Sequence, residues 1–333
     1  MITACRRGVE VLGIGSFAPE RVVTNEELAT RMDTSDEWIA SRTGIHERRI
    51  AADEDSSAAL GYEAAKRALA SSGLAATDLG LIVVATASPD YYFPATAALI
   101  GERLGASGVP GFDLSAACTG FVFALAQAYS QVASGLVDTA LVVGTEVFSR
   151  LLDWDDRSTC VLFGDGAGAV VLRGNGSQSG LLGFELGSNG GGGDLLKVAA
   201  VGHAANPAAG PYVIMDGPQV YKFATTVSVE SAGRVLDAIG MTVADVDLFV
   251  PHQANQRIIE HAARRLGIPA EKVVSNVERY GNTSAASIPI CLDEAYRAGR
   301  IRPGHTVLMV GFGGGLSWGS CVLEWSIPLK ERG

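Results

Sequence analysis

One long internal repeat constrains the architecture of this chain more than any other feature. Residues 67–83 read RALASSGLAATDLGLIV and residues 234–250 read RVLDAIGMTVADVDLFV, so Arg67/Arg234, Leu69/Leu236, Gly73/Gly240, Asp78/Asp245, Leu81/Leu248 and Val83/Val250 share an offset of 167. Leu125/Leu292, Ala128/Ala295, Tyr129/Tyr296, Leu141/Leu308, Val143/Val310 and Gly144/Gly311 keep it. In a chain of 333 residues that offset is half the length. Solenoids need at least three short units, so a single long repeat means a duplicated domain, with halves at 1–174 and 175–333. Each half runs helix, buried strand, loop, helix, buried strand, glycine-rich strand. The apolar runs Leu81–Ala85 and Leu248–Pro251 fit central strands covered on both faces. The segment Glu63–Ser71 reads as a helix closed by Gly73. This alternation predicts an α/β fold: two duplicated halves in stacked helix and sheet layers, related by a pseudo-twofold, with loops from both meeting at the axis.

Composition removes several classes of function. With 36 acidic against 26 basic side chains the net charge is −10, which argues against binding nucleic acid. No apolar run approaches the ~18–20 residues that span a bilayer, and the first fifteen residues make a poor signal peptide. A cytoplasmic protein is therefore expected. The five cysteines are scattered without a Cys-x-x-Cys pair, which excludes a disulfide framework and a structural zinc. The histidines at 46, 203, 252, 261 and 305 form no metal constellation, and no metal is expected. The 41 glycines exceed the ~7 % of an average chain. Gly164–Gly168 and Gly311–Gly315 lack the pattern of phosphate loops, which leaves close packing as their reading. Asn189–Asp194 reads as a surface loop.

Three reactive side chains fall at strand ends or helix starts of the repeat. Cys118 precedes the apolar segment that begins at Gly120, His252 follows the strand-like LFVP, and Asn282 precedes the second-half equivalent of the Cys118 helix. A helix N-terminus favours thiolate, which makes Cys118 a candidate nucleophile. A buried core thiol is the alternative reading of the same position. Likewise, His252 alone fits a hydrogen-bonded structural histidine, and Asn282 fits an Asx-turn or a cap.

The combination is sharper. DTSDEW (33–38), RTGI (42–45), the AACTGF segment around Cys118, FGDGAGA (163–169), HQAN (252–255), GNTSAAS (281–287) and GFGGGLSWGS (311–320) resemble the β-ketoacyl-acyl-carrier-protein synthase III family, from about Val9 to Trp325. Thiolases carry a second cysteine where this chain has Gly313–Gly315, and elongating synthases have histidine in place of Asn282. The resemblance implies the thiolase fold, a homodimer, no cofactor, and two partners: acyl-coenzyme A (acyl-CoA) and malonyl-acyl-carrier protein. It implies a ping-pong decarboxylative condensation in which Cys118 takes the acyl group while His252 and Asn282 donate hydrogen bonds to the malonyl thioester oxygen as the enolate forms. Backbone N–H groups of Cys118 and Gly314 would hold the acyl carbonyl. Trp38 and Arg157 would sandwich the adenine of CoA, Arg42 would meet its phosphates beside Thr34, and Gly217 and Asn255 would line the pantetheine tunnel. Pro218 stands where the family often has asparagine. Phe163 and Phe312 are expected at the acyl pocket, and Phe93 would close the partner subunit's. For carrier-protein docking the resemblance points to Lys222, Gln253, Ala254, Asn255, Gln256 and Arg257, with Arg264 and Arg265. A helix over 253–266 would place Arg257, His261, Arg264 and Arg265 on one face. A ketosynthase or acyltransferase of secondary metabolism remains the alternative. A non-catalytic partner subunit would lack the reactive trio.

Overall fold

The computed structural model describes residues 1–177, 179–199 and 212–328; His203 lies outside them. Two five-stranded sheets form its frame. The first runs Val9–Phe17, Gly166–Gly174, Thr139–Glu146, Ile82–Ala85, Gly111–Leu114. The second runs Ile2–Ala4, Leu181–Ser188, Ser317–Glu324, Thr306–Gly313, Leu248–Pro251. Thr139–Glu146 and Thr306–Gly313 are offset by the repeat length, as are the 3₁₀ turns Ala117–Thr119 and Ser284–Ala286. Helix Ser57–Ser72 ends where the sequence predicts, with Gly73 in the left-handed region at φ 75°.

Alternation along the strands builds the layers. Val83, Ala85, Ala140 and Val142 face one way and pack on helix Gly120–Ala133, together with Leu248, Val250, Val307 and Met309 of the second sheet. Helix Ser287–Arg297 contributes Ile288, Leu292 and Ala295 to this central layer. Ile82, Val84, Leu141 and Val143 face the opposite way, under helices Ser57–Ser72 and Thr96–Leu104. Phe249, Leu308 and Val310 do the same under helices Gly217–Ala238 and Gln256–Leu266. The result is five layers, helix–sheet–helix–sheet–helix, with the repeat-equivalent helices buried at the centre.

The glycine-rich segments pack closely: a Cβ on Gly168 would lie 2.6 Å from Pro289 Cβ, and one on Gly164 2.3 Å from Tyr280 O. Residues 189–194 differ from the expected loop. Gly190–Leu195 is a 3₁₀ turn with Gly192 buried against Leu316, and Asn189 and Leu316 exchange backbone hydrogen bonds at 2.7 and 2.8 Å. Gly192 makes the close approach, since a Cβ on it would lie 2.6 Å from Leu316 Cγ, whereas one on Gly190 would meet nothing within 4 Å.

Candidate active site

The turn that carries Cys118 is sharp. Strand Gly111–Leu114 leads into Ala117–Thr119, and Ala117 has φ 47°, unusual for a residue with a Cβ. Thr119 Oγ1 and Ser317 Oγ are 3.0 Å apart, and Ser317 Oγ donates to Ala116 O at 3.2 Å, which ties the turn to the second sheet. A Cβ on Gly313 would come within 2.8 Å of Cys118 N, so this strand can approach the nucleophile's backbone only as glycine.

His252 leaves the end of strand Leu248–Pro251, with its N–H on Val310 O. Its Nδ1 lies 2.6 Å from Ser287 Oγ, which also receives the Gln253 N–H at 3.4 Å. When the Ser287 hydroxyl donates to Nδ1, the neutral ring carries its own proton on Nε2. Asn282 is fixed by similar logic. Its Oδ1 accepts from Ser284 N at 2.8 Å, which leaves the Nδ2 amide as the outward-facing donor.

All three side chains line one cavity of about 580 Å³, together with Phe163, Phe312 and Gly313. Its inner end is dry: Cys118, His252 and Asn282 are 5 %, 1 % and 7 % exposed. Burial pushes the Cys118 thiol up to about 12 and the His252 imidazole down to about 3. The resting site therefore holds a neutral thiol and a neutral imidazole. Cys118 sits in the 3₁₀ turn ahead of the helix, and burial is the largest influence on its thiol, acting against the charged form. Cys118 shares this cavity with the His252 ring and the Asn282 amide, an arrangement suited to a thioester whose oxygen gains charge.

The outer end is charged. Arg42 and Arg157 lie 4.5 and 4.9 Å from the centroid of Trp38, and all three line the mouth with Gly217, Pro218, Ala254, Asn255 and Arg257. An inserted aromatic ring needs about 7 Å between flanking planes at ordinary contact distances, so the present spacing of Trp38 and Arg157 leaves no room for one between them. Arg157 donates to Asp33 O in the present arrangement. Thr34 is half-buried, its hydroxyl without a hydrogen-bond partner among the described residues. Asn255 caps helix Gln256–Leu266 through Arg257 N and donates to Arg42 O at 3.0 Å, so its amide braces the mouth. Pro218 sits in the first turn of helix Gly217–Ala238, where its missing N–H costs nothing. Gly314 lies beyond Gly313, against Leu196 and Ala117.

The resemblance assigns Phe93 to the partner subunit's pocket and Gln253 to the docking face. Phe93 is 86 % exposed, beside Tyr91 and Tyr92, and outside this cavity. Gln253 is 1 % exposed, its amide spent on Pro251 O, Ser275 and Asn276 N, so it supports the docking face from behind. Its burial follows from the helix starting at Gln256, three residues later than expected. Gln256 is half-buried and bonded to Ser275 and Glu260, whereas Lys222, Arg257, Arg264 and Arg265 are exposed. Ser284 and Ser287 lie in GNTSAAS but carried no role in the sequence reading, and Glu146 had no local signal at all.

A buried cysteine, two oriented donors and a long mouth between duplicated α/β halves define an acyl-transferring enzyme of the thiolase-fold class. Models of 3-oxoacyl-[acyl-carrier-protein] synthase III match residues 112–190, and of its C-terminal region residues 236–325. A β-ketoacyl-[acyl-carrier-protein] synthase III of Desulfitobacterium hafniense is 50 % identical, covering 96 % of this chain and 98 % of the relative. The crystal structure of 3-oxoacyl-(acyl carrier protein) synthase III from Pseudomonas aeruginosa superposes with a TM-score of 0.91 at 46 % identity, over 98 % of this chain and 100 % of that one. The priming β-ketosynthase of a polyketide biosynthetic pathway gives 0.92 at 40 % identity, over 97 % and 98 %. The chain belongs to the β-ketoacyl-[acyl-carrier-protein] synthase III family.

Proposed function

We propose that this enzyme condenses an acyl-CoA primer with malonyl-acyl-carrier protein through an acyl-Cys118 thioester, the first step of fatty acid synthesis. The observation that carries the reading is the buried end of one cavity that Cys118, His252 and Asn282 line together. Acyl transfer to Cys118 comes first, with the carbonyl oxygen held by the N–H groups of Cys118 and Gly314. The extender then loses carbon dioxide, and negative charge builds on its thioester oxygen. His252 and Asn282 hold that oxygen; because both are neutral donors, they stabilise the enolate without protonating it. Trp38, Arg42, Arg157 and Thr34 receive CoA at the mouth, Gly217 and Asn255 flank pantetheine, and Phe163 and Phe312 shape the acyl end. No cofactor takes part.

The halves 1–174 and 175–333 act together, each supplying one side of the site, with strand Ile2–Ala4 crossing to the second sheet. Exposed Tyr91, Tyr92 and Phe93 support a homodimer in which Phe93 reaches the partner's acyl pocket. The likeness to a polyketide-priming enzyme supports a second reading, the same chemistry at the start of a secondary-metabolite pathway.

Mass spectrometry after acetyl-CoA incubation tests the core of this. Cys118→Ala should acquire no acetyl adduct. Asn282→Ala should still be acetylated but release carbon dioxide from malonyl-carrier protein ~10²–10³-fold more slowly. Equal loss in both half-reactions by folded Asn282→Ala would refute the division of roles.

A further inference from the structure

His252 follows strand Leu248–Pro251, and Ser287 opens helix Ser287–Arg297. Subtracting the repeat offset of 167 leads to Ala85 and Gly120, the last residue of strand Ile82–Ala85 and the first of helix Gly120–Ala133. A Cβ on Gly120 would lie 3.0 Å from Ala85 Cβ, so both halves set these two positions against each other. In the first half the contact is tight and apolar. In the second it is filled by an imidazole and a hydroxyl, 1 % and 2 % exposed, with Nδ1 2.6 Å from Oγ. The fold needs no polar pair at this place, as Ala85 and Gly120 show. A buried hydrogen bond added at the ring that lines the cavity belongs to the chemistry of the site.

The direction of that bond follows from the other contact of the hydroxyl. Ser287 Oγ also lies 3.4 Å from Gln253 N, a group that can only donate. Among the described residues, Nδ1 is the one acceptor that the Ser287 hydroxyl proton has. A proton on Nδ1 would leave this hydroxyl as a buried donor without an acceptor, which costs more than the bond itself is worth. Ser287 therefore donates, Nδ1 accepts, and the ring's own proton sits on Nε2. No other neighbour makes that choice. The His252 N–H on Val310 O at 2.8 Å fixes the backbone, and Phe312, edge-on with centroids 5.1 Å apart, restricts the tilt of the ring. Neither contact tells one nitrogen from the other.

We propose that Ser287 is the positioning residue that makes His252 a donor, by holding its ring in the Nε2–H tautomer and in one orientation. Nε2 is the nitrogen left to the cavity, so a proton is already in place when the malonyl thioester oxygen arrives. No bond is made or broken at Ser287, whose hydroxyl acts through the ring. This inference rests on His252 serving the loss of carbon dioxide. Acyl transfer to Cys118, which the proposed route assigns to the N–H groups of Cys118 and Gly314, should not depend on it.

The test uses the full-length enzyme as wild type, Ser287→Ala, Ser287→Thr, His252→Ala and the double variant Ser287→Ala/His252→Ala. Nitrogen-15 spectra of the imidazoles, with His252 assigned by its absence from His252→Ala, should show the wild-type ring protonated at Nε2 alone. In Ser287→Ala the Nδ1 resonance should shift as its donor is lost. Release of carbon dioxide from malonyl-carrier protein by the acetylated Ser287→Ala enzyme should slow ~10-fold in kcat, less than the ~10²–10³-fold of losing a donor outright. Acetylation by acetyl-CoA should stay within about threefold of wild type, and Ser287→Thr, which keeps the hydroxyl, should keep most of the rate. Adding Ser287→Ala to His252→Ala should slow release no further, whereas a merely structural role would give additive losses. A proton on Nδ1 in the wild-type spectrum overturns the proposal, whether or not any variant folds. So does an additive loss in the double variant, or equal slowing of both half-reactions in Ser287→Ala. Unimpaired release by His252→Ala, with Nε2–H intact in wild type, would instead remove the role given to His252, and that of Ser287 with it.

Discussion

Two buried groups at the site titrate in opposite senses, and the stability of the folded chain should show it. His252 falls from 6.5 to about 3 because burial penalises its charged form. As pH falls below 6.5 the unfolded chain takes up that proton and the folded chain does not, so stability declines toward acid by up to ~1.4 kcal/mol per pH unit. Glu146 rises from 4.5 to about 7, so its folded carboxyl keeps a proton that the unfolded chain has released. Its contribution is lost as pH rises from 4.5 through 7. Between 4.5 and 6.5 the slopes oppose each other, and wild type alone would show little change from this pair. Removing one exposes the other. Urea unfolding of wild type and His252→Gln at pH 7 and pH 5 should differ in their pH response, wild type losing ~2 kcal/mol relative to the variant on acidification. An identical response in the two proteins would mean that His252 is protonated in the fold, and the donor geometry derived from Ser287 would fail with it.

At the level of elements, the repeat accounts for most of what positions the site. The offset of 167 relates the two 3₁₀ turns, so the strained φ of Ala117 beside Cys118 has its counterpart at Ser284. One duplicated bend supplies the nucleophile in one half and a neighbouring hydroxyl in the other. The central helices Gly120–Ala133 and Ser287–Arg297 follow these turns, and the strands must come close to them. Gly168 marks such an approach, since a Cβ there would lie 2.6 Å from Pro289 Cβ and 2.9 Å from Ile290 N. Gly168→Ala should therefore cost about 1–3 kcal/mol in chemical unfolding, through forced separation of strand Gly166–Gly174 from helix Ser287–Arg297. An unchanged midpoint would show that this interface yields freely. Periodicity made the strands and helices legible, because burial on one or both faces leaves a pattern in the residues themselves. Contacts across the layers left none. Glu146 reads as an ordinary strand end, and Gln253 reads as part of a helix until its amide is seen closing the 251–276 loop. The crossing of Ile2–Ala4 to the second sheet depends on which edge is free, and no local pattern encodes that.

Across the whole molecule, charge is distributed against its average. The chain carries −10, yet Lys222, Arg257, Arg264 and Arg265 stand exposed and without an ion pair among the described residues, on two adjacent helices at the cavity mouth. The Arg257 guanidinium lies 5.7 Å from the Tyr221 ring centroid and lines the mouth itself. Such a patch on an acidic protein favours an acidic partner over a neutral one, and it acts chiefly on the rate of encounter, which salt suppresses. A carrier protein delivering malonyl groups is the partner proposed for it. Arg257 also lines the mouth proposed to receive CoA, so one variant measured with one substrate would not separate the two roles. The two half-reactions do separate them. Arg257→Glu should raise the apparent KM for malonyl-carrier protein ~10-fold or more, with the gap to wild type narrowing as salt rises, while acetylation by acetyl-CoA changes by less than about threefold. Arg264→Glu, farther along the helix and outside the cavity lining, should reproduce the first effect in weaker form and leave acetylation untouched. If Arg257→Glu slowed both half-reactions alike and Arg264→Glu neither, the basic residues would be serving CoA at the mouth, and the carrier protein would have to dock on another face.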